Sequence, residues 1–251
     1  STLQTSHCWQ SLEGINTDMV NFLENHDEQR VASPQNAGDP FKAYPALIVS
    51  AMMNRNPFLL YFGQELGETA TDAEGFSGQD GRTTIFDYWS VPSVRSWYNK
   101  GRCNEERLTP DQKRLRTMYQ QVLTLCNKEA ALREGEFFDL MYVNFDNEQF
   151  DAKHNYVFMR KHKNELLVIA ANFNAWPANI RVCIPQHAFD CWLIKPDNYE
   201  CEELLSGEKQ VKNISPDNRF EATMEAYGAV VWKCKIRTAP ARSKKSDTTN
   251  T

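Results

Sequence analysis

Three consecutive polar residues, Asn25, His26 and Asp27, follow closely after an apolar stretch over residues 19–23. A parallel strand that is buried on both faces is a nearly continuous apolar run, and catalytic side chains collect where such strands end. We therefore predict a buried strand over residues 18–24, with an amide, an imidazole and a carboxylate at its carboxyl end. These side chains could act on a polar ligand, or His26 and Asp27 could form a structural hydrogen bond. The triplet alone does not decide between the two.

A helix and a second strand are the elements that must position this triplet. Asp39 followed by Pro40 is typical of a capped helix start with proline at the first helical position, and an apolar segment follows over residues 46–53. The apolar run over residues 57–62 stops at Gly63 and predicts a second buried strand. Strand, helix and strand in this order indicate an α/β layered fold with parallel strands.

The clearest helix signal begins at Thr109. The segment Thr109-Pro110-Asp111-Gln112 has the capping-box pattern with proline at the first helical position. Apolar residues then recur at steps of three and four and predict one apolar helix face, formed by Leu115, Met118, Tyr119, Val122, Leu125 and Cys126. We expect this helix to stop near Gly135.

The chain changes character near residue 150, where short strand-like segments separated by turn residues begin. Over residues 220–226 and 230–236 apolar residues occupy every second position, as in strands with one buried face. Further strands are expected over residues 156–159, 166–173, 180–184 and 192–194. Six or more strands within about 80 residues predict an independent antiparallel β-sandwich with Trp232 facing inward. The predicted organisation is an α/β part over residues 1–150, a β-sandwich over 151–237 and a disordered polar tail over 238–251.

The composition excludes several classes of protein. With 251 residues and 41% hydrophobic content, the chain can bury substantial cores and is not a disordered protein. A net charge of -5 without basic blocks argues against nucleic acid as a partner, and a neutral or polar small substrate fits better. No apolar run approaches the roughly 18 residues of a membrane span. Residue 1 is not taken as the natural start, so cytoplasmic, periplasmic and secreted locations all stay open.

The seven cysteines are scattered and form no CxxC pair, so they indicate neither a zinc site nor a redox site. We expect free thiols used as small apolar side chains. Because an odd number would leave one thiol unpaired in an oxidising compartment, the count favours a reducing environment. His154, His162 and His187 lack partners at metal-ligand spacing, so we predict surface histidines and no metal or other cofactor bound by this chain.

The order of these segments resembles the carboxyl-terminal part of the α-amylase family, glycoside hydrolase family 13. In that family the seventh strand of the catalytic barrel ends in Phe-x-x-Asn-His-Asp, which is matched by Phe22, Asn25, His26 and Asp27. The eighth strand carries a motif with proline, tyrosine, glycine and glutamate, which is matched by Pro57, Tyr61, Gly63 and Glu65. Asn56 replaces an expected glycine, and asparagine also tolerates left-handed backbone angles. The resemblance covers roughly residues 10 to 237.

The resemblance implies a partial (β/α)8 barrel, strands seven and eight with their helices, followed by an antiparallel β-sandwich. It assigns Asp27 to stabilise the transition state of glycoside cleavage, with His26 binding the same sugar hydroxyls. Hydrogen bonds to the 2-hydroxyl that strengthen in an oxocarbenium-like transition state supply several kcal/mol. The implied ligand is an α-1,4-glucan such as starch or a maltooligosaccharide.

Four further residues have roles in this hypothesis. Asn25, Tyr61 and Glu65 are expected to support the site structurally, and Glu65 is not proposed as an acid or base. Arg30 is predicted to bind substrate or orient a carboxylate of the site. An exposed Arg30 paired with Glu28 is the alternative.

A retaining glycosidase needs a nucleophile and an acid/base on carboxylates about 5 Å apart. The family takes them from strands four and five, and neither motif occurs in this sequence. A complete barrel takes roughly 250 residues, so we expect the first part of the barrel to be missing and this chain alone to be inactive. Calcium in a full-length protein stays possible.

Two other functions remain open at this stage. A barrel that has lost catalysis could serve as a carbohydrate-binding or transporter-associated subunit, although the intact triplet argues against it. The β section could instead be a starch-binding module with a platform of Trp176, Trp192 and Trp232. Aromatic residues at 86–89 and 97–98 could stack on sugar rings or attach their loop to the barrel.

Overall fold

The structure, a computed structural model, describes residues 14–15, 18–71, 80–86 and 90–239. An α/β part comes first and a β-sandwich follows, and one cluster of buried apolar side chains extends through both. None of the described helices combines the length and the apolar character that a membrane span requires. The tail that we predicted to be disordered lies outside the described residues from residue 240 onward.

Two short parallel strands form the frame of the α/β part. β1 (Asn21–Phe22) pairs with β2 (Phe58–Leu59), and each lies inside the apolar run that predicted it. The apolar side chains on and beside them are exposed, namely Met19, Val20, Phe22, Leu59 and Leu60. The prediction that these strands are buried on both faces is therefore wrong for this chain. Among the described residues no third strand pairs with either outer edge of the sheet.

Helices follow each strand. Asp39 caps the 3-10 helix Pro40–Ala43, and its side chain accepts a hydrogen bond from the backbone N–H of Phe41 at 2.9 Å, as predicted. α1 (Tyr44–Met52) starts earlier than the apolar pattern suggested, because Pro45 is well placed in a first turn. The other helices of this part are the 3-10 helices Gln64–Leu66 and Asn99–Gly101, α2 (Pro92–Tyr98), α3 (Pro110–Lys128) and α4 (Ala130–Arg133).

The predicted capping box at the start of α3 is confirmed. Thr109 Oγ1 accepts from the Gln112 N–H at 3.2 Å, and Gln112 Oε1 accepts from the Thr109 N–H at 3.0 Å. The predicted stop at Gly135 is wrong, because the chain leaves the helix at Glu129. The buried Glu129 carboxylate forms an ion pair with Lys233, a residue 104 positions later in the sequence. The end of α3 is therefore next to an ion pair whose two residues are far apart in the sequence.

The predicted antiparallel fold of the β-sandwich is confirmed, since all its neighbouring strands are antiparallel. That it forms independently of the α/β part stays a prediction. Six strands form one sheet in the order β3-β4-β5-β10-β7-β8, and β6 pairs with β9. The strands are β3 (Glu136–Asp139), β4 (Asn155–His162), β5 (Glu165–Asn172), β6 (Ala178–Cys183), β7 (Asp197–Glu203), β8 (Lys209–Ile214), β9 (Arg219–Met224) and β10 (Ala229–Lys235). Because β3 pairs with β4, the sheet starts before the boundary predicted at residue 150.

Two helices interrupt these strands, α5 (Met141–Asn144) and α6 (Gln186–Trp192). The strand predicted over residues 192–194 is wrong. Trp192 ends α6, and Leu193 leaves the helix with a left-handed φ of 54°. Ile194 makes one isolated bridge to Thr238. Trp232, by contrast, lies inward on β10 as predicted and is 3% exposed.

Arg160 on β4 connects the sandwich to the α/β part. Its buried guanidinium donates to the backbone carbonyls of Met52 at 3.1 Å, Leu132 at 3.0 Å and Gly135 at 2.8 Å. Met52 ends α1, while the other two residues lie at or just beyond the end of α4. Carbonyls at helix ends lack intrahelical partners and carry partial negative charge, so a buried cation is well placed there.

A disulfide corrects the prediction that the cysteines are free thiols. Cys201 on β7 and Cys234 on β10 are directly opposite in the antiparallel register and are bonded to each other. Cys103, Cys126, Cys183 and Cys191 are free, while Cys8 lies outside the described residues. The two bonded residues are 33 positions apart in sequence. The argument for a reducing environment, which depended on unpaired thiols, therefore no longer holds.

Replacing both Cys201 and Cys234 by alanine should lower the free energy of unfolding by about 3 kcal/mol. The bridge restricts the unfolded chain by closing a loop of 33 residues. Urea unfolding of the oxidised chain and of the double variant measures the difference. Cys103→Ala removes an exposed thiol and should change the value by less than about 0.5 kcal/mol. Equal stability of the double variant and the oxidised chain would contradict the pairing.

Candidate functional site

The polar triplet lies on the loop that follows β1. The side chain of His26 is 50% exposed and that of Asp27 is 74% exposed, and His26 Nε2 lies 3.4 Å from Asp27 Oδ2. Both groups are accessible to a ligand and close enough to contact the same hydroxyl groups. The structure thus places these two predicted residues together on the surface of the described chain.

The side chain of Asn25 binds the backbone of its own loop. Its side-chain Oδ1 accepts hydrogen bonds from the backbone N–H of Asp27 at 2.8 Å and of Glu28 at 3.0 Å. An asparagine that bonds the backbone two and three residues further on closes a local turn. This is the loop-supporting position predicted for Asn25, and it orients the backbone that carries Asp27.

Arg30 is fully buried, so it lies neither at a surface ligand site nor in the exposed position next to Glu28 that the alternative required. Its NH1 group lies 2.8 Å from Glu24 Oε1, its Nε donates to Thr83 Oγ1 at 2.9 Å, and its NH2 donates to the carbonyl of Phe62 at 2.8 Å. A side chain buried in this way neither contacts a ligand at the surface nor pairs with Glu28. Arg30 instead holds together the ends of β1 and β2 and the segment around Thr83.

Glu24 is the residue that sequence reasoning missed. Its Oε1 binds Arg30, and its Oε2 accepts from the backbone N–H of Val31 at 2.6 Å. Burial raises the pKa of Glu24, while the charge of Arg30 opposes that increase. The ion pair therefore joins the two ends of the loop that carries Asp27. The sequence did carry a signal for this pair. It was an acidic residue next to an apolar run and six positions before an arginine.

Tyr61, from the second motif, packs against this ion pair. Its hydroxyl donates to the carbonyl of Thr83 at 2.9 Å, and its ring centroid lies 4.2 Å from the Arg30 guanidinium carbon. Gly63, two residues later, has a φ of +82°, and an added Cβ would lie 3.2 Å from a Val94 side-chain carbon. Glycine at this position allows the left-handed turn and the close approach of α2.

Glu65 lies in the 3-10 helix Gln64–Leu66, next to this network. Its Oε2 atom is buried and has no hydrogen-bond partner among the described residues. Burial raises the pKa of Glu65, with Arg116 and Arg30 opposing the increase. Its position away from the surface suits the supporting role predicted for it.

The aromatic residues considered as sugar contacts differ in their exposure to solvent. Phe86 is 79% exposed, and residues 87–89 lie outside the described residues. Tyr98 on α2 is also exposed. The tryptophan platform is wrong, because Trp176 is 61% exposed whereas Trp192 and Trp232 are buried in the core.

The three histidines of the β-sandwich have local partners. His154 Nδ1 lies 2.7 Å from Asp151, His162 lies 3.7 Å from Glu134, and His187 lies 3.4 Å from the Cys191 thiol. Within the described residues, no three metal-binding side chains come together. Calcium in a longer protein stays a prediction.

Comparison with known proteins finds a family model that matches part of the chain and solved structures that share its fold. The family model "Alpha amylase, C-terminal all-beta domain" matches residues 142–235. The crystal structure of AmyP in complex with maltose has a TM-score of 0.63 at 17% identity, covering 95% of this chain and 45% of that chain. The α-amylase of Geobacillus thermoleovorans complexed with acarbose has a TM-score of 0.60 at 16% identity, covering 93% and 43%. The trehalose-6-phosphate hydrolase of Bacillus licheniformis has a TM-score of 0.54 at 16% identity, covering 90% and 46%.

The fold is therefore a partial (β/α)8 barrel joined to an antiparallel all-β domain. Residues 142–235 match the model of the α-amylase C-terminal all-beta domain, and the chain shares its fold with the carboxyl-terminal part of the solved α-amylase structures. It spans less than half the length of each of the three solved structures described above.

Replacing Arg30 by methionine should lower the free energy of unfolding by about 3–5 kcal/mol, because Glu24 is left buried without its partner. Urea unfolding of the purified chain measures the change. The double variant Glu24→Gln/Arg30→Met should recover much of the loss, since no uncompensated charge remains.

Arg82→Met is the matched control for this experiment. The ion pair of Arg82 with Asp80 is about one-third exposed on both sides, so its loss should cost less than about 1 kcal/mol. A loss of that small size for Arg30→Met would show that the buried pair does not stabilise the loop.

Proposed function

We propose that this chain is part of a retaining α-glucan hydrolase and supplies the aspartate that stabilises the transition state. The observation that carries this proposal is the exposed pair of Asp27 and His26 on a loop whose two ends are joined by a buried ion pair. Matches to α-amylase structures and to the α-amylase C-terminal domain support the parent class.

The chemistry follows from the position of the two side chains. Glycoside cleavage develops positive charge on the sugar ring, and an ionised carboxylate that accepts from the ring hydroxyls stabilises that charge. Asp27 is accessible for this contact, and the imidazole of His26 lies close enough to bind a neighbouring hydroxyl. Asn25 and the ion pair limit loop motion, so the interaction requires little rearrangement in the transition state.

The substrate class is a neutral α-1,4-glucan, either starch or a maltooligosaccharide. AmyP was crystallised with maltose, and the Geobacillus thermoleovorans α-amylase with acarbose. Those ligands were bound to other proteins, and we extend the ligand class to this chain as part of the proposal. A neutral polyhydroxylated ligand also suits a chain with a net charge of -5 and no basic blocks.

In the longer protein, Asp27→Asn should reduce kcat by about 10²-fold or more and leave glucan affinity largely unchanged. The lost interaction acts mainly in the transition state, so it lowers turnover more than binding. Steady-state kinetics on maltooligosaccharides and equilibrium binding measure the two effects. Glu28→Gln, which removes the neighbouring exposed carboxylate, is the control and should keep near-normal turnover. Normal turnover in Asp27→Asn would remove Asp27 from the mechanism.

The 251-residue chain alone should not hydrolyse starch or maltooligosaccharides. Its sequence carries Asp27 but neither family motif for the nucleophile or the acid/base, so the covalent intermediate cannot form and the leaving oxygen is not protonated. Reducing-sugar release by the purified chain, with Asp27→Asn as the background control, measures this. Hydrolysis that exceeds the background would mean that other carboxylates perform catalysis, with Glu65 the first to test.

A further inference from the structure

A cavity of about 830 Å³ lies along α2 and the segment that joins this helix to α3. Its lining includes three cationic side chains and three with a ring or a hydroxyl group, namely Arg95, Lys100, Arg107, Ser96, Trp97 and Tyr98. None of the described residues of the loop 24–31 lines it. The cavity therefore does not overlap with the candidate site around Asp27, and its volume is typical of small-molecule sites.

The three cations of this cavity have no carboxylate partner. Arg95 lies on α2, Lys100 in the 3-10 helix Asn99–Gly101 and Arg107 in the turn before α3, and all three are exposed. Within the part of the chain that the structure describes, none of them forms an ion pair. Cations gathered on a concave wall produce a local positive potential, which attracts an anion.

The acidic side chains of the same segment bind cations outside the cavity. Glu105 pairs with Arg116 at 2.9 Å, and Glu106 pairs with Arg102 at 3.0 Å. Neither of these two carboxylates is left over to compensate the cavity wall. Positive charge thus stays open at this one place in a chain whose net charge is -5.

A buried asparagine fixes the segment that carries Lys100 and Arg107. Asn99 is 3% exposed, and its Nδ2 donates to Asn104 Oδ1 at 2.9 Å and to Glu106 Oε2 at 3.1 Å. The backbone N–H of Cys103 donates to the carbonyl of Tyr98 at 3.1 Å. The segment is therefore closed on itself, and the cavity cations are attached to an ordered backbone.

The backbone of this segment is strained. Asn99, Lys100 and Cys103 have φ values of 42°, 58° and 49°, in the left-handed region. Asparagine tolerates this region, but lysine and cysteine seldom adopt it. Strain of this kind persists where the surrounding structure requires it, and it concentrates at ligand sites. In this segment it sets the direction in which the Lys100 side chain leaves the backbone.

Two aromatic side chains lie beside the cations. Tyr98 is 55% exposed, and a Cβ added at Gly101 would lie 3.7 Å from its hydroxyl oxygen, so the ring packs over the turn. Trp97 is half-buried and lines the same cavity. Aromatic faces bind the flat or apolar face of another ring, while the hydroxyl of Ser96 adds a donor and an acceptor. The wall thus combines positive charge with ring surface.

We propose that this cavity binds a small phosphate monoester whose phosphate is attached to a ring-containing group, either a sugar or a nucleoside. A phosphate monoester carries a charge of roughly -1.5 to -2 near neutral pH and three acceptor oxygens. Arg95 and Arg107 match those oxygens with forked donors, and Lys100 adds a point charge. Trp97 and Tyr98 contact the ring. The proposal goes beyond the proposed function and does not depend on it.

Isothermal titration of the 251-residue chain tests this proposal. The ligands are glucose 6-phosphate and adenosine 5′-monophosphate, with inorganic phosphate and glucose as comparisons. At least one ester should bind saturably and about tenfold more tightly than inorganic phosphate, because the aromatic contacts add to the charge contacts. The ester that binds more tightly identifies the ring. Binding of neither ester, or of neither more tightly than inorganic phosphate, would overturn the proposal.

Three variants assign the binding to the cavity. Arg95→Gln and Arg107→Gln should each weaken binding of the ester about tenfold, because each removes hydrogen bonds between charged groups. Tyr98→Ala should weaken binding of the ester about fivefold and leave binding of inorganic phosphate unchanged, because it removes a ring contact alone. All three side chains are exposed, so the melting temperature should stay within about 2 °C of the wild-type value.

Arg133→Gln is the matched control. It removes the same charge from a side chain that is 49% exposed and does not line the cavity, so binding of the ester should change by less than about twofold. An equal loss of binding in Arg133→Gln and Arg95→Gln would show a response to overall charge and overturn the proposal. The role of Asp27 is measured by turnover in the longer protein, so its failure would leave this titration unaffected.

Discussion

The buried ion pair between Arg30 and Glu24 is the interaction on which the candidate site depends. Taking both charges out of water is costly, and the arrangement is stable only because each group finds several partners. Arg30 binds Glu24, Thr83 and the Phe62 carbonyl, and the second oxygen of Glu24 binds the backbone of Val31. Loss of either charge would leave its partner buried without compensation.

This ion pair also explains how a loop can be both exposed and ordered. The residues available for chemistry, His26 and Asp27, lie in solvent, where their side chains alone would not fix the backbone. The pair joins the loop at residues 24 and 30, and Asn25 closes a turn inside it. Tyr61 covers the guanidinium of Arg30. The exposed groups are therefore held by neighbours that are themselves buried.

A second set of buried charges joins the two parts of the chain. Arg160 binds carbonyls at the ends of α1 and α4, and Lys233 on β10 pairs with Glu129 between α3 and α4. Both cations come from the β-sandwich and both reach the ends of helices, where backbone carbonyls have no partner within the helix. Together with the shared apolar core, these contacts make the sandwich a support for the barrel helices.

The two parallel strands β1 and β2, by contrast, are not well covered by neighbouring elements. Apolar side chains beside β1 and β2 face solvent, although parallel strands are usually covered on both faces. A two-stranded parallel sheet has too few neighbours to bury them within the described residues. In the described part of the chain these apolar side chains therefore stay in contact with solvent.

Local patterns in the sequence determined much of this fold. The capping box at Thr109, the cap at Asp39 and the alternation along β9 and β10 each depend on residues a few positions apart, and the structure has all of them. The triplet of Asn25, His26 and Asp27 was found the same way, because a motif within one loop is visible in one segment of sequence.

Tertiary structure alone decided the partners of the buried polar groups. Arg30 contacts a threonine 53 positions away, Glu129 contacts Lys233, and Cys201 meets Cys234 across two strands. The sequence predicted none of these pairs: it left Arg30 between a site role and an exposed pair with Glu28, and it predicted free thiols for the cysteines. Hydrophobic periodicity reports which face of an element is buried, but it does not report what another element brings to that face. Such partners are set by packing between distant segments, which requires the folded chain.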